Sequence, residues 1–206
     1  MIFAPLVVNT NIMQMEKIIT ADTSTEIWQQ VRSDFNAEND WLLYNATIKY
    51  VGKEILLTID IDPGGGFEGG FATTSFRSRL AEDPGFHFAV HHQGFLDEIG
   101  KFLGFQDVET GYPEFDKQVM VKTDNENLTR LLFADPQART VFQSLSQFNC
   151  SIRENKSGDT TDSYYLELYV EEAITDIPLL ANIYDAFLQI LTTLENLDHA
   201  FRISTN

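Results

Sequence analysis

A chain of 206 residues fits one domain, and 43% hydrophobic content with 16 Phe favours a packed interior over disorder. Its 31 acidic against 14 basic residues give a net charge of −17, which argues against a phosphate backbone or an anionic membrane surface as partner. The single Cys150 excludes an internal disulfide and any multi-cysteine metal site, and suits a reducing compartment.

The first twenty residues are ambiguous: Met13, Met15, Ile18 and Ile19 fit an early helix or an early strand. The apolar run from Ile2 to Val8 is short, contains Pro5 and lacks a basic flank, so no secretory leader is expected. No run of about 20 apolar residues stands out as a membrane span, so membrane insertion is not expected and a cytoplasmic protein is. Thr23 with Glu26 three residues later makes a capping box, and Ile27, Trp28, Val31 and Phe35 recur at helical spacing, predicting a helix over 24–36.

Two strands follow. Over 41–51, Leu42, Tyr44, Ala46, Ile48 and Tyr50 alternate with polar residues; over 53–62, Ile55, Leu57, Ile59 and Ile61 share a face. Gly52-Lys53 is the expected turn of this hairpin. Residues 62–71 hold five glycines, residues 71–80 favour a third strand, and Asp83-Pro84-Gly85 makes a turn. In a fourth strand over 86–92, Phe86, Phe88 and Val90 are expected inward, with His87, Ala89 and His91 on the other side.

Signals are densest from 95 to 145. Leu96, Ile99, Phe102 and Leu103 repeat at helical spacing before Gly104. Gly111-Tyr112-Pro113 reads as a loop and Lys117–Lys122 as a strand. Asp124 is expected to cap a helix carrying Leu128, Leu131, Leu132 and Phe133, and Asp135-Pro136 to start another with Val141, Phe142 and Leu145 inward. The chain closes with strands over 148–154 and 163–172 joined by a polar turn, then a long helix capped by Asp176. That helix bears Leu180, Ile183, Tyr184, Phe187, Leu191 and Leu194 as an apolar stripe, widened by Leu188 and Ile190, and its tail is expected to fray beyond about residue 198.

Residues 106–139 carry a motif: Gln106, Asp107, Val108, Glu109, Gly111, Pro113, Phe115, Asp116, Val119, Val121 and Asp124, then Leu131, Leu132, Pro136 and Arg139. This segment resembles a group of bacterial proteins that have no assigned biochemical role. Tyr112 stands where that group usually has Asp or Asn before the Pro, and Val119 where it often has Phe. The resemblance implies a bacterial origin and an intact domain, and no activity. Physically, Phe115 is the expected anchor, placed at a loop-to-strand boundary, while Asp107, Glu109, Asp116 and Asp124 are expected to form turns and caps.

Residues that suggest chemistry are weak as sites. His87 and His91 share a strand face but stand about 13 Å apart at ~3.3 Å per residue, too far to chelate one ion. Asp60, Asp62 and Glu68 around the glycines do not match a calcium loop, and the glycine-rich stretch lacks the Gly-Lys-Ser/Thr of a phosphate cradle. Cys150 alternates with apolar neighbours as a buried strand residue. The expectation is a single α+β domain spanning 1–206: mainly antiparallel sheet, helices packed on one face and a long C-terminal helix, with no cofactor and no metal. The leading functional expectation is a non-catalytic interaction module. Its partner would be a protein, or a second copy meeting it through the C-terminal helix or a strand edge. A pocket under the sheet lined by Phe86, Phe88, Tyr164 and Leu166 for a small hydrophobic ligand is the first alternative; a hydrolase built on carboxylates and His is the second.

Overall fold

The computed structural model describes residues 17–37, 41–65, 69–92, 106–155 and 163–204. In chain order the elements are β1 (Lys17–Thr20), α1 (Ser24–Ala37), β2 (Leu43–Tyr50), β3 (Lys53–Asp62), β4 (Phe71–Arg79), β5 (Phe88–His92), β6 (Gln106–Val108), α2 (Pro113–Asp116), β7 (Val119–Thr123), α3 (Glu126–Leu132), α4 (Pro136–Ser144), β8 (Phe148–Asn155), β9 (Ser163–Val170) and α5 (Ile177–Ser204). The strands form one sheet in the order β1-β2-β3-β4-β9-β8-β5-β7-β6. Among the described residues only the β1–β2 pairing is parallel. The helical repeat read at 96–103 lies outside the described residues.

Register explains the layering. Side chains alternate between sheet faces with period two, so residues paired across neighbouring strands share a face. One row runs Ala46, Leu57, Phe76, Leu168, Cys150, Val90, Val121, Val108 across eight strands. Every member but the half-buried Val108 is closed to solvent. The helices cover this face. From α5, Leu180, Ile183, Tyr184, Phe187, Ile190 and Leu191 are fully buried. Tyr184 meets Trp28 of α1 edge-on at 5.6 Å, and Phe187 meets Phe76 of β4 at 6.0 Å. The α+β architecture with helices on one face is as expected.

The opposite face reads Thr47, Leu56, Arg77, Glu167, Ser151, Ala89, Lys122, Asp107 along the adjacent row, one residue away in each strand. Here charges pair across strands. Arg77 Nε lies 3.8 Å and Arg153 Nε 3.5 Å from the Glu167 carboxylate, and Lys122 Nζ lies 3.0 Å from Asp107 Oδ1. Arg77 also stacks over the Tyr165 ring at 3.8 Å.

The helix starts follow the residues that predict them. Thr23 and Glu26 form the reciprocal box: the Glu26 N–H donates to Thr23 Oγ1 at 3.3 Å and the Thr23 N–H to Glu26 Oε2 at 3.2 Å. Asp135 Oδ1 accepts from the Gln137 and Ala138 N–H groups, and Asp176 Oδ1 from the Leu179 N–H.

Several local expectations are corrected. The first hairpin turns on Val51-Gly52, because Tyr50 pairs with Lys53. Both turn residues have positive φ, 45° at Val51 and 75° at Gly52, as a two-residue turn of the primed type requires. Leu42 lies outside β2 and is exposed. Residues 113–116 form a single helical turn, too short to show periodicity in sequence. Leu131 is 50% exposed while Leu132 is buried, since adjacent residues in a short helix cannot both face one sheet. Ala89 and His91 stand on the face opposite Val90, as expected, and both are buried there. The final helix runs to Ser204. Its Ile177–Leu197 stretch is long and apolar enough, by length and composition, to cross a bilayer, which the sequence reading passed over because polar residues interrupt it; here its apolar side lies on the sheet.

Val51 is a β-branched residue held in the left-handed region, 62% exposed, with nothing to gain from its side chain. Val51→Asn, giving an Asn-Gly turn, is expected to raise stability by about 1 kcal/mol in chemical denaturation. An unchanged or lower midpoint would show that the strain is not stored there.

Candidate functional site

The motif segment forms a self-bonded scaffold. The Asp116 carboxylate accepts from the Thr110 N–H at 3.0 Å, the Thr110 hydroxyl at 2.6 Å and the Gly111 N–H at 3.1 Å. Gly111 sits at φ +83°, where a side chain would be strained, and a Cβ there would meet the Arg130 guanidinium carbon at 3.6 Å. Pro113 occupies the first turn of α2, where its missing N–H costs nothing. Phe115 is thereby driven inward on a helical turn, instead of the expected loop-to-strand boundary. It lies 5.3 Å from Phe133, which meets Phe88 at 6.0 Å and Phe142 at 5.6 Å. Phe142 in turn meets Phe148 at 5.4 Å.

Tyr112 occupies the N-cap of α2, and its side chain accepts no capping bond. Its ring lies instead under the Arg139 guanidinium at 3.7 Å, while Arg139 Nη1 donates to the carbonyls of Phe133 and Ala134 at the end of α3.

The other motif acids differ from expectation. Asp124 does not cap α3; Asn125 does, accepting from the Leu128 N–H at 3.2 Å. Asp124 Oδ1 instead accepts from the His87 N–H at 2.8 Å, fastening the start of β5 to the end of β7. Asp107 neither turns nor caps. It lies in β6, where its cross-strand partner Lys122 answers its charge. Glu109 is exposed.

The four proposed pocket residues are dispersed in packing. Phe88 and Leu166 are fully buried and Phe86 nearly so, with Phe86 against Phe88 at 6.3 Å. Tyr164 is half-buried, its ring 6.2 Å from His87. None of the three clefts described below is lined by any of the four. Of the histidines, His87 Nδ1 lies 3.5 Å from Asp124 Oδ2 at the surface. His91 is buried on the face opposite these helices: Nδ1 donates to the His92 carbonyl at 3.0 Å, and Nε2 meets no hydrogen-bond partner among the described residues. Burial pulls the His91 imidazole below its ordinary range. Burial also pushes the Cys150 thiol far up, so it is inert as a nucleophile. Among the described residues no three His, Cys, Asp or Glu side chains gather as metal ligands do. Asp62 is used as a turn former, accepting from the Gly64 N–H at 2.8 Å; Glu68 lies outside the described residues.

Three open clefts stand out among the described residues. One, of about 530 Å³, lies between α4 and α5 and is lined by Asp135, Asn182, Gln189 and Asp185, whose carboxyl is raised by burial. A second, also about 530 Å³, runs past the first hairpin beside Arg77, Tyr165 and the Lys53–Glu195 ion pair. The largest, about 740 Å³, is a groove between β1 and α1. Every residue of β1 lines it on one side and Glu26, Gln29, Gln30 and Asp34 on the other. Sequence inspection missed this groove because it joins an undecided segment to the polar side of a helix. The only signal for it was Ile18, an apolar residue that the fold leaves 66% exposed.

No protein-family model matches the chain, and no curated protein or solved structure does either.

Asp116→Ala removes the acceptor for three donors, and a charged acceptor of this kind contributes roughly 1.5–3 kcal/mol per bond, so a loss of at least that size is expected in chemical denaturation. Near-neutral behaviour would show that the motif turn is held by other means. For His91, the folded chain binds fewer protons than the unfolded chain as the pH drops through the ordinary value of 6.5, so stability falls there and levels off once the folded imidazole also protonates. His91→Gln should flatten that part of the stability–pH curve; a curve identical to wild type removes His91 as its source.

Proposed function

We propose that this chain is a non-catalytic binding module whose partner approaches along the β1 edge of its sheet. The observation that carries the reading is the β1–α1 groove. It is the largest of the three clefts, it borders a strand at the end of the sheet order, and an exposed isoleucine marks its rim. Sheet edges beside a helix accept further strands because their outward N–H and C=O groups supply affinity without specialised chemistry. The use of the motif acids supports the same reading. Asp116, Asp124, Asp135 and Asp107 are each occupied by backbone donors or a paired cation, so the residues that mark this chain hold its shape.

Affinity capture on the immobilised chain, beside an unrelated protein of matched negative charge, is expected to retain proteins that the control does not. Identical recoveries on the two supports would overturn the reading.

A further inference from the structure

Resting on the binding-module reading, we infer that the β1–α1 groove takes an extended basic segment of a partner protein, which pairs with β1 as an additional strand. The backbone is arranged for it. In a parallel ladder alternate residues turn both their N–H and C=O toward the neighbouring strand. The Ala21 N–H donates to the Lys49 carbonyl of β2 at 3.3 Å, which places Lys17 and Ile19 in the same inward set. Ile18 and Thr20 therefore turn their amide groups away from the sheet, along the groove. A strand of four residues spans about 13 Å, enough to pair with a segment of equal length.

Side chains of such a strand would alternate. One set would stand on the face of Ile18 and its neighbour Thr47, where Ile18 offers apolar surface. The other would face α1, where Glu26, Gln29, Gln30 and Asp34 line the wall. Glu26 is held by the capping box and Asp34 Oδ2 accepts from Tyr44 Oη at 2.9 Å, so both carboxylates are fixed in place. Lys17, 3.9 Å from Asp34, is the one cation lining the groove among the described residues. Charge selects the occupant. A second copy brings another −17 and is repelled, whereas a segment alternating basic and apolar residues is attracted both locally and by the whole molecule.

The test uses the full chain and a labelled short peptide alternating Lys with Val, read by fluorescence anisotropy, with an alternating Glu–Val peptide for comparison. Ile18→Pro removes an outward N–H and no ladder bond, a position where an edge strand tolerates proline. Binding of the Lys–Val peptide to wild type, a loss of about tenfold or more in Ile18→Pro, and new amide-exchange protection at Ile18 and Thr20 are expected. Added salt should weaken the complex. Equal binding by Ile18→Pro without protection at those amides would mean general attraction to an acidic surface, and would overturn the inference. So would self-association that strengthens with salt, which identifies a second copy as the occupant. If proteins captured from lysate stay bound to Ile18→Pro, the module reading stands and only the groove is wrong.

Discussion

Everything in this molecule depends on one register. Eight strands are aligned so that a single apolar row crosses the sheet from Ala46 to Val108, and the helices are fastened to that row. A slip of one residue in any strand would send its share of the row to the charged face and bring charges such as Glu167 or Arg77 under α5. The charged face reinforces the same alignment. Arg77 pairs with Glu167 and Lys122 with Asp107 because the register sets them opposite one another, and a slipped strand would separate both pairs. Exposed ion pairs add little stability, yet here they discriminate between alignments.

The motif segment shows how local chemistry serves this plan. Asp116 closes a tight loop on Thr110 and Gly111, the loop aims Phe115 at Phe133, and Phe133 carries the contact on to Phe88 and Phe142. The far edge of the sheet is thus joined to the helical layer by aromatic rings, and Asp124 adds a direct link from β7 to β5. Replacing Phe115 would empty a site closed to solvent, a loss of several kcal/mol by the usual cost of cavities.

Much of this was legible in the residues. Alternation gave both hairpins and three caps gave their helices, because those signals act within a few residues of one another. Where the reading failed, the deciding partner was distant in sequence. Asp124 and Asn125 are equally good caps, and only the backbone of His87 decides which of them faces the helix. The alternation of Ala89 and His91 gave their face correctly, but not that this face too is buried, which depends on packing beyond the strand. The groove at β1 was out of reach for the same reason: four residues have no periodicity, and their setting comes from α1 and β2 together.

The strand order also governs when the sheet can form at all. β4 ends at residue 79, but its outer neighbour β9 begins at residue 163, and β8 and β9 lie between β4 and β5. A chain emerging from the ribosome can assemble β1 to β4 early, and must then hold the open side of β4 in water until some eighty further residues have been made. Closing so long a loop is slow, and an unpaired edge during that delay invites wrong pairings. The acidic excess that runs along the chain has a use here that concerns no partner: like-charged nascent chains keep apart while their central seam waits for its last strand.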